Sequence, residues 1–300
     1  MTRSIWKIII LIISIIVFAF SVQSISFSNR SSPIVATLPD ISGLAWVEDG
    51  RFLAVHDAKD PSSARISLLS VPEDGKTLSW QSLTVNWPES SGIGKDLEAI
   101  TAIPGTDFFL LAESGDRKPN QRLFLISYKN EKVKILAVTN WPVPVENVEA
   151  IAVTRVNDRY LFLYAERAEN RSGTDIRWTT LTLDPLRFGE FRSVSFTSPF
   201  GSGEYVRQIS DLALDSQGNL YIASTRDPGD KGAFRSAIYR IGRVSGESGV
   251  ILDPNPRPLG EIDGLKVEGV TIQKRTTGDR LFFGTDDEDY GGVFRPLPEG

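Results

Sequence analysis

The chain has 300 residues, 41% hydrophobic and 24% charged, an ordinary balance for a globular protein with a sizeable core. Its net charge of −5, with Lys and Arg scattered, gives no basis for nucleic-acid binding. With no cysteine and one histidine, the composition excludes disulfides, thiol nucleophiles, cysteine zinc sites and multi-histidine metal sites.

Residues 1–28 read as a separate unit. Arg3 and Lys7 precede the apolar run IIILIISIIVFAFSV, Ile8–Val22. A positive segment followed by a hydrophobic one is an export signal. Two readings fit: a retained signal anchor forming one transmembrane helix, or a signal peptide cut after Ser24. With Ile5 and Trp6 the run nearly reaches bilayer length. Either way the positive charges stay in the cytoplasm, which places the rest in the periplasm or at the cell surface. Residues 29–33 form a polar linker, and PIVATLP, Pro33–Pro39, reads as a strand.

The remainder repeats. Five segments align, beginning ISGLAW at Ile41, LEAITAI at Leu97, VEAIAV at Val148, ISDLAL at Ile209 and VEGVTI at Val267. Each is a short apolar strand, a turn rich in Gly, Asp or Asn, and a second strand ending in polar residues. Two further strands follow in the middle units: RLFLISY (122–128) and KVKILAV (132–138), IRWTTLTL (176–183) and FRSVSFT (191–197), SAIYRIG (236–242) and GVILD (249–253). Alternating, β-branched and aromatic residues favour strands throughout. Four antiparallel strands per unit of roughly 50–60 residues make a propeller blade. The fifth unit ends after GGVFRPL (291–297), one strand short, while Pro33–Pro39 has no blade of its own. The expected fold is therefore all-β: a five-bladed β-propeller over residues 34–297, with the N-terminal strand completing the last blade. That closure hides sheet edges.

One position of the repeat is polar where its neighbours are apolar. It reads Ser42, Glu98, Glu149, Ser210 and Glu268. At the start of each inner strand these residues would converge at one mouth of the central channel. Three carboxylates so placed repel, and must take up protons, hold water or share a cation. Calcium suits such a site, since it accepts six to eight oxygens in irregular geometry. The competing reading is a polar ring that hydrogen-bonds loop amides and water. Asp40, Asp96 and Asp211, beside the ring, are candidate extra ligands or turn caps.

Antiparallel order puts the second-strand exits on the same face. These loops carry Asp57, Glu113, Glu166, Asp227, Asp286 and Asp287 beside Arg117, Arg167 and Arg226. Carboxylates for a cation next to arginines for an anion suit a small anionic or cell-surface ligand. The competing reading is a polar rim whose charges pair with each other. DDED, Asp286–Asp289, lacks the spacing of an EF-hand loop. His56, beside Asp57, has no nucleophile placed with it.

In their order, ISGLAW, DLEAITAI, VEAIAV, ISDLAL and VEGVTI resemble the SdiA-regulated (YjiK-like) domain and the related esterase-like phytase domain, over most of residues 34–297. Those families start inner strands with S-G-L and E-G-[IVL]. Here Glu98-Ala99 and Glu149-Ala150 replace Glu-Gly, and Ser210-Asp211 replaces Ser-Gly. The resemblance implies an exported propeller with metal at its axis, matched by Glu98, Glu149 and Glu268. The leading expectation is a binding or scaffold module that holds a divalent cation and a ligand. The alternative is a metal-dependent phosphoric-ester hydrolase, with Arg117, Arg167 or Arg226 on the phosphate. A third reading is a protein-interaction propeller without ligand.

Overall fold

Alternating side chains build five antiparallel meanders, each hydrogen-bonded in chain order. A computed structural model describes residues 38–58, 60, 62–71, 78–114, 121–246 and 248–298. The first blade is β1 (Gly43–Glu48), β2 (Arg51–Val55), β3 (Ile66–Ser70) and β4 (Ser79–Ser82). The second is β5 (Leu97–Ala102), β6 (Phe108–Glu113), β7 (Arg122–Lys129) and β8 (Lys132–Asn140). In the third, β9 (Val148–Val156), β10 (Arg159–Glu166) and β11 (Thr174–Leu183) are followed by β12 (Leu186–Phe188) and β13 (Arg192–Phe196). The fourth holds β14 (Val206–Leu214), β15 (Asn219–Arg226), β16 (Arg235–Ser245) and β17 (Gly249–Asp263). The fifth has β18 (Val267–Gln273), β19 (Arg280–Thr285) and β20 (Phe294–Pro296).

The outer edge of the third blade differs from the expected single strand FRSVSFT. Both β12 and β13 pair with β11, at its two ends. Pro185 lies in the turn into β12, Gly189 falls between β12 and β13, and Gly189 N–H donates to Thr180 O (3.0 Å).

The inner strands form a closed ring in which β1 touches β5, β5 touches β9, β9 touches β14, β14 touches β18, and β18 returns to β1. Five apolar clusters fill the five interfaces between adjacent blades. Successive side chains of one inner strand serve opposite interfaces. Ala150 and Ala152 face the fourth blade, whereas Ile151 and Val153 face the second. Burial on both faces explains why these strands read as nearly continuous apolar runs. Polar side chains also stitch the ring. Thr101 Oγ1 accepts Val153 N–H (3.2 Å), and Thr271 Oγ1 accepts Trp46 N–H (3.0 Å). Asp211 accepts Val270 N–H at 2.6 Å and Leu212 N–H at 2.7 Å, which makes it a backbone cap bridging the fourth and fifth blades.

In four of the five blades the residue after the ring position is small: Gly43, Ala99, Ala150 and Gly269. A Cβ on Gly43 would lie 3.0 Å from Ala99 Cα and Ile100 N of the next inner strand. Gly43→Val is expected to destabilise the chain by about 1–3 kcal/mol through overpacking, read as a lower urea midpoint. A variant as stable as its parent contradicts this close approach.

The seam between the first and last blades is apolar. Phe52 lies 4.7 Å from Phe282 and 5.0 Å from Phe294, between ring centroids. Leu38 forms an antiparallel bridge with Gly292, whose N–H donates to Leu38 O (2.9 Å). Residues 1–37, with the predicted apolar helix and most of the Pro33–Pro39 strand, lie outside the described residues. Among the described residues no helix is long and apolar enough to cross a membrane.

Candidate functional site

The three ring glutamates share a backbone cause. In β5 the ladder pairs Leu97 with Glu113 and then Ala99 with Ala112, skipping Glu98. In β9 it pairs Val148 with Glu166 and Ala150 with Ala165, skipping Glu149. In β18 it pairs Val267 with Thr285 and Gly269 with Gly284, skipping Glu268. A β-bulge leaves its extra residue unpaired and re-aims the side chain. Asp96 and Asn147, two residues before Glu98 and Glu149, hold positive φ of 57° and 56°. Asp and Asn adopt this left-handed conformation more readily than other non-glycine residues.

The bulges bring Glu98, Glu149 and Glu268 together, each with a carboxylate oxygen within 4.8 Å of the others. A second group, Asp57, Asp96 and Glu98, meets the same limit, so Glu98 belongs to both. The ring serines are used differently. Ser42 Oγ accepts Asp57 N–H (3.0 Å). Ser210 Oγ donates to Val267 O (2.8 Å).

The second-strand exits do lie on this face. Ser114 N–H donates to Asp96 O (3.0 Å), Arg167 N–H to Asn147 O (2.9 Å) and Asp286 N–H to Lys266 O (3.0 Å).

Sequence reasoning missed two buried cations. Arg207 bridges Glu268, Asp227 (2.6 Å) and Glu149 (3.7 Å). Lys266, 1% exposed, meets Glu288, Asp286 (2.9 Å), Glu268 (3.4 Å) and Asp227 (3.7 Å). The available signal was a basic residue leading into an apolar inner strand, in YVRQISDL and LKVEGV.

The remaining predicted site residues have definite places. Glu113 is fully buried, with Arg122 on both oxygens and the N–H groups of Lys95 (2.9 Å) and Arg122 (3.0 Å) bound to it. Glu166 accepts Glu146 N–H (3.0 Å) and lies 3.6 Å from Arg177. Arg167 pairs with Glu149 (3.0 Å) and Glu169 (3.4 Å), and Arg226 lies over the Tyr205 ring at 5.7 Å. Asp227 also accepts Gly229 N–H (3.0 Å). Asp287 accepts Lys266 N–H (2.7 Å) and the Thr285 hydroxyl (2.6 Å). Arg117 lies outside the described residues.

Burial works against the Arg207 charge, but Glu268, Glu149 and Asp227 outweigh it and hold the guanidinium protonated. The ion pairs of the described residues reach Glu149 and Glu268 but do not include Glu98. Burial, reinforced by Glu149, Asp57, Glu268 and Asp96, pushes the Glu98 carboxyl well above its ordinary range. Burial, together with Asp286 and Glu288, pushes Asp40 up to about 7. His56 is buried, with Nδ1 2.6 Å from Asp40 O and Nε2 2.8 Å from Ser67 Oγ. A carbonyl only accepts, so Nδ1 carries the proton and Nε2 accepts from Ser67. Burial lowers its pKa. Both nitrogens are thus used within the fold.

No protein-family model matches the sequence, and no curated protein matches it. Solved structures do. An exo-1,5-α-L-arabinanase from a bovine ruminal metagenomic library aligns with TM-score 0.55 and 11% identity, over 89% of this chain and 95% of that one. An α-L-arabinofuranosidase from Lactobacillus brevis gives 0.51 and 12%, over 88% and 92%. A GH32 β-fructofuranosidase from Bombyx mori gives 0.52 and 14%, over 88% and 61%. Likeness at this identity is likeness of fold: the chain is an all-β five-bladed propeller of the architecture found in these glycoside hydrolases.

Proposed function

We propose that the propeller binds one divalent cation at its axial mouth, through Glu98, Glu149 and Glu268, and acts as a ligand-binding module on that face. The observation that carries this reading is the meeting of the three glutamate oxygens within 4.8 Å, with the Asp57–Asp96–Glu98 group adjoining. The donor set fits a hard cation. It is all oxygen, His56 is engaged elsewhere, and cysteine is absent from the chain. That chemistry favours calcium over zinc. The ion pairing points the same way. Among the described residues Arg167 and Arg207 pair with Glu149, and Arg207 and Lys266 with Glu268, while no ion pair reaches Glu98. Bound calcium would supply positive charge where Glu98 lacks an ion pair. The basic-then-apolar N-terminus supports a place outside the cytoplasm, with the propeller tethered by residues 1–28.

The test is thermal unfolding after chelation. Added calcium is expected to raise Tm, by about 2–4 °C for each kcal/mol of linked binding energy. Glu98→Gln is expected to lose most of that rise. Equal curves with calcium and with chelator reject the cation.

One observation favours a second reading, hydrolysis of a glycosidic bond. Glu98 is pushed toward its protonated form beside Glu149, which pairs with Arg167 and Arg207. An acid beside a paired carboxylate is the arrangement such chemistry uses. Access weighs against it, since Glu149 is 3% and Glu268 2% exposed, too little for a sugar ring to reach them. Sugar release from arabinan that survives chelation and fails in Glu98→Gln would establish this reading. The phosphoric-ester alternative finds less support. Arg167 is already ion-paired and Arg226 is stacked on Tyr205.

A further inference from the structure

Two of the three axial glutamates already hold cations of the chain itself. Glu149 pairs with Arg167 (3.0 Å) and Arg207 (3.7 Å), and Glu268 with Arg207 and Lys266 (3.4 Å). Of these cations only Arg207 pairs with both glutamates. It is 7% exposed, and the irregular start of β14 delivers it there: the ladder with β15 pairs Arg207 with Thr225 and resumes only at Asp211.

The guanidinium is used unevenly. Nη1 bonds Glu268 and faces Glu149, Nη2 donates to Asp227 (2.6 Å), and Nε is buried without a hydrogen bond. Asp227 is not one of the three axial glutamates, and it is fixed from its own loop by Gly229 N–H (3.0 Å). One end of the fork therefore sits on the proposed ligands and the other on an anchor outside them.

An ion entering among Glu98, Glu149 and Glu268 must share two carboxylates with this guanidinium. Arginine keeps its charge at any ordinary pH, so the two cations repel across the same oxygens. A monovalent ion offers Glu149 and Glu268 no more charge than Arg207 already supplies. A divalent ion offers twice that charge and also engages Glu98, which no ion pair of the described residues reaches. Competition of this kind selects by charge and weakens whatever does bind.

We propose that Arg207 is the specificity-determining residue of the axial site, a resident cation that excludes monovalent ions and sets the affinity for divalent ones, keeping Asp227 as its own counter-charge when an ion takes up the glutamates. This role presupposes the axial cation, and one experiment separates the two.

Calcium is titrated calorimetrically into the chelator-stripped full-length chain, in sodium chloride and in tetramethylammonium chloride at matched ionic strength. The parent is expected to bind calcium alike in both salts. Arg207→Met is expected to bind it at least about tenfold tighter in tetramethylammonium, and to lose much of that gain in sodium, which now competes. Arg155→Met loses an exposed charge paired with Asp158 and should bind calcium like its parent. Asp227→Asn removes the anchor that draws the guanidinium off the glutamates. It is expected to weaken calcium binding, and it covers the case in which Arg207→Met fails to fold. A parent that takes up no calcium removes the axial ion and this role with it. Where the parent does bind calcium, the role of Arg207 alone is overturned by an Arg207→Met chain that binds no tighter, by sodium weakening parent and variant equally, or by an Asp227→Asn chain that binds like its parent.

Discussion

Arg207→Met is expected to lower stability by about 3–5 kcal/mol, the cost typical of breaking a buried ion pair from one side. The methionine keeps the stem packed. What it removes is the guanidinium bridging Glu268, Asp227 and Glu149, which leaves three nearly buried carboxylates without a shared counter-charge. Urea unfolding reads the loss as a lower midpoint with an unchanged slope. The exposed pair Arg155–Asp158, at 2.9 Å, is the control, and its removal is expected to cost under about 1 kcal/mol. Adding Glu268→Gln to Arg207→Met should recover part of the loss, because one uncompensated charge disappears with it. An Arg207→Met chain within about 1 kcal/mol of its parent would mean that the axial carboxylates do not depend on this cation.

The repeat was legible because each inner strand is buried on both sides. Leu97, Ile100 and Ile103, or Val148, Ile151 and Val153, are apolar to fill the interfaces, and the carboxylate at the start of each run marks the axis. Five such marks in one register are enough to count blades and to predict that Glu98, Glu149 and Glu268 meet. The turns were legible for a related reason. In DSQGNLY, Asp215 accepts the N–H groups of Gln217 (2.9 Å) and Asn219 (2.8 Å), a bond pattern that needs Asp at that place. Other features were hidden. A bulge has no composition of its own, so the skipped ladder positions could not be seen, only their consequence. In β14 the irregularity runs from Arg207 to Asp211 and spans more residues. That shift brings Arg207, three residues before the ring serine, into the carboxylate cluster, where a simple strand register would not place it. Pairing across blades was hidden too. Acidic and basic rim residues read alike as solvated loop charges until Lys266 is found buried among four of them. The same blindness affected Glu113, whose place under Arg122 follows from the packing of its own blade.

The crowding of acids gives the chain an unusual pH response. With divalent cations chelated, Tm is expected to fall as pH rises from about 5 to about 8. The sign follows from the direction of each shift. Burial and neighbouring acids raise Asp40 from 3.8 to about 7 and burial raises Asp287 from 3.8 to about 6, while Glu98, Asp211 and Glu268 are also shifted upward. A carboxyl with a raised folded-state pKa takes its proton more readily in the folded chain than in the unfolded one. The stability this contributes is complete below the unfolded value and is lost as pH climbs through the folded value. His56 acts in the opposite sense. Burial lowers it from 6.5, so the unfolded chain gains a proton first and stability declines below that pH. One histidine stands against five carboxyls, so the carboxyls set the slope above about pH 5, and acid unfolding follows only at lower pH. Glu98→Gln removes a carboxyl without changing the shape of the side chain, and should raise Tm most near pH 8 and least near pH 5. Calcium added at the upper end should do in the parent chain what protons do at the lower end, flattening the profile, and should do little in the variant. Differential scanning calorimetry across this range decides the matter. A Tm that climbs steadily toward pH 8 in chelator, or a Glu98→Gln profile parallel to the parent's, would show that these acids are already balanced by Arg167, Arg207 and Lys266, leaving the axis no charge for an ion to meet.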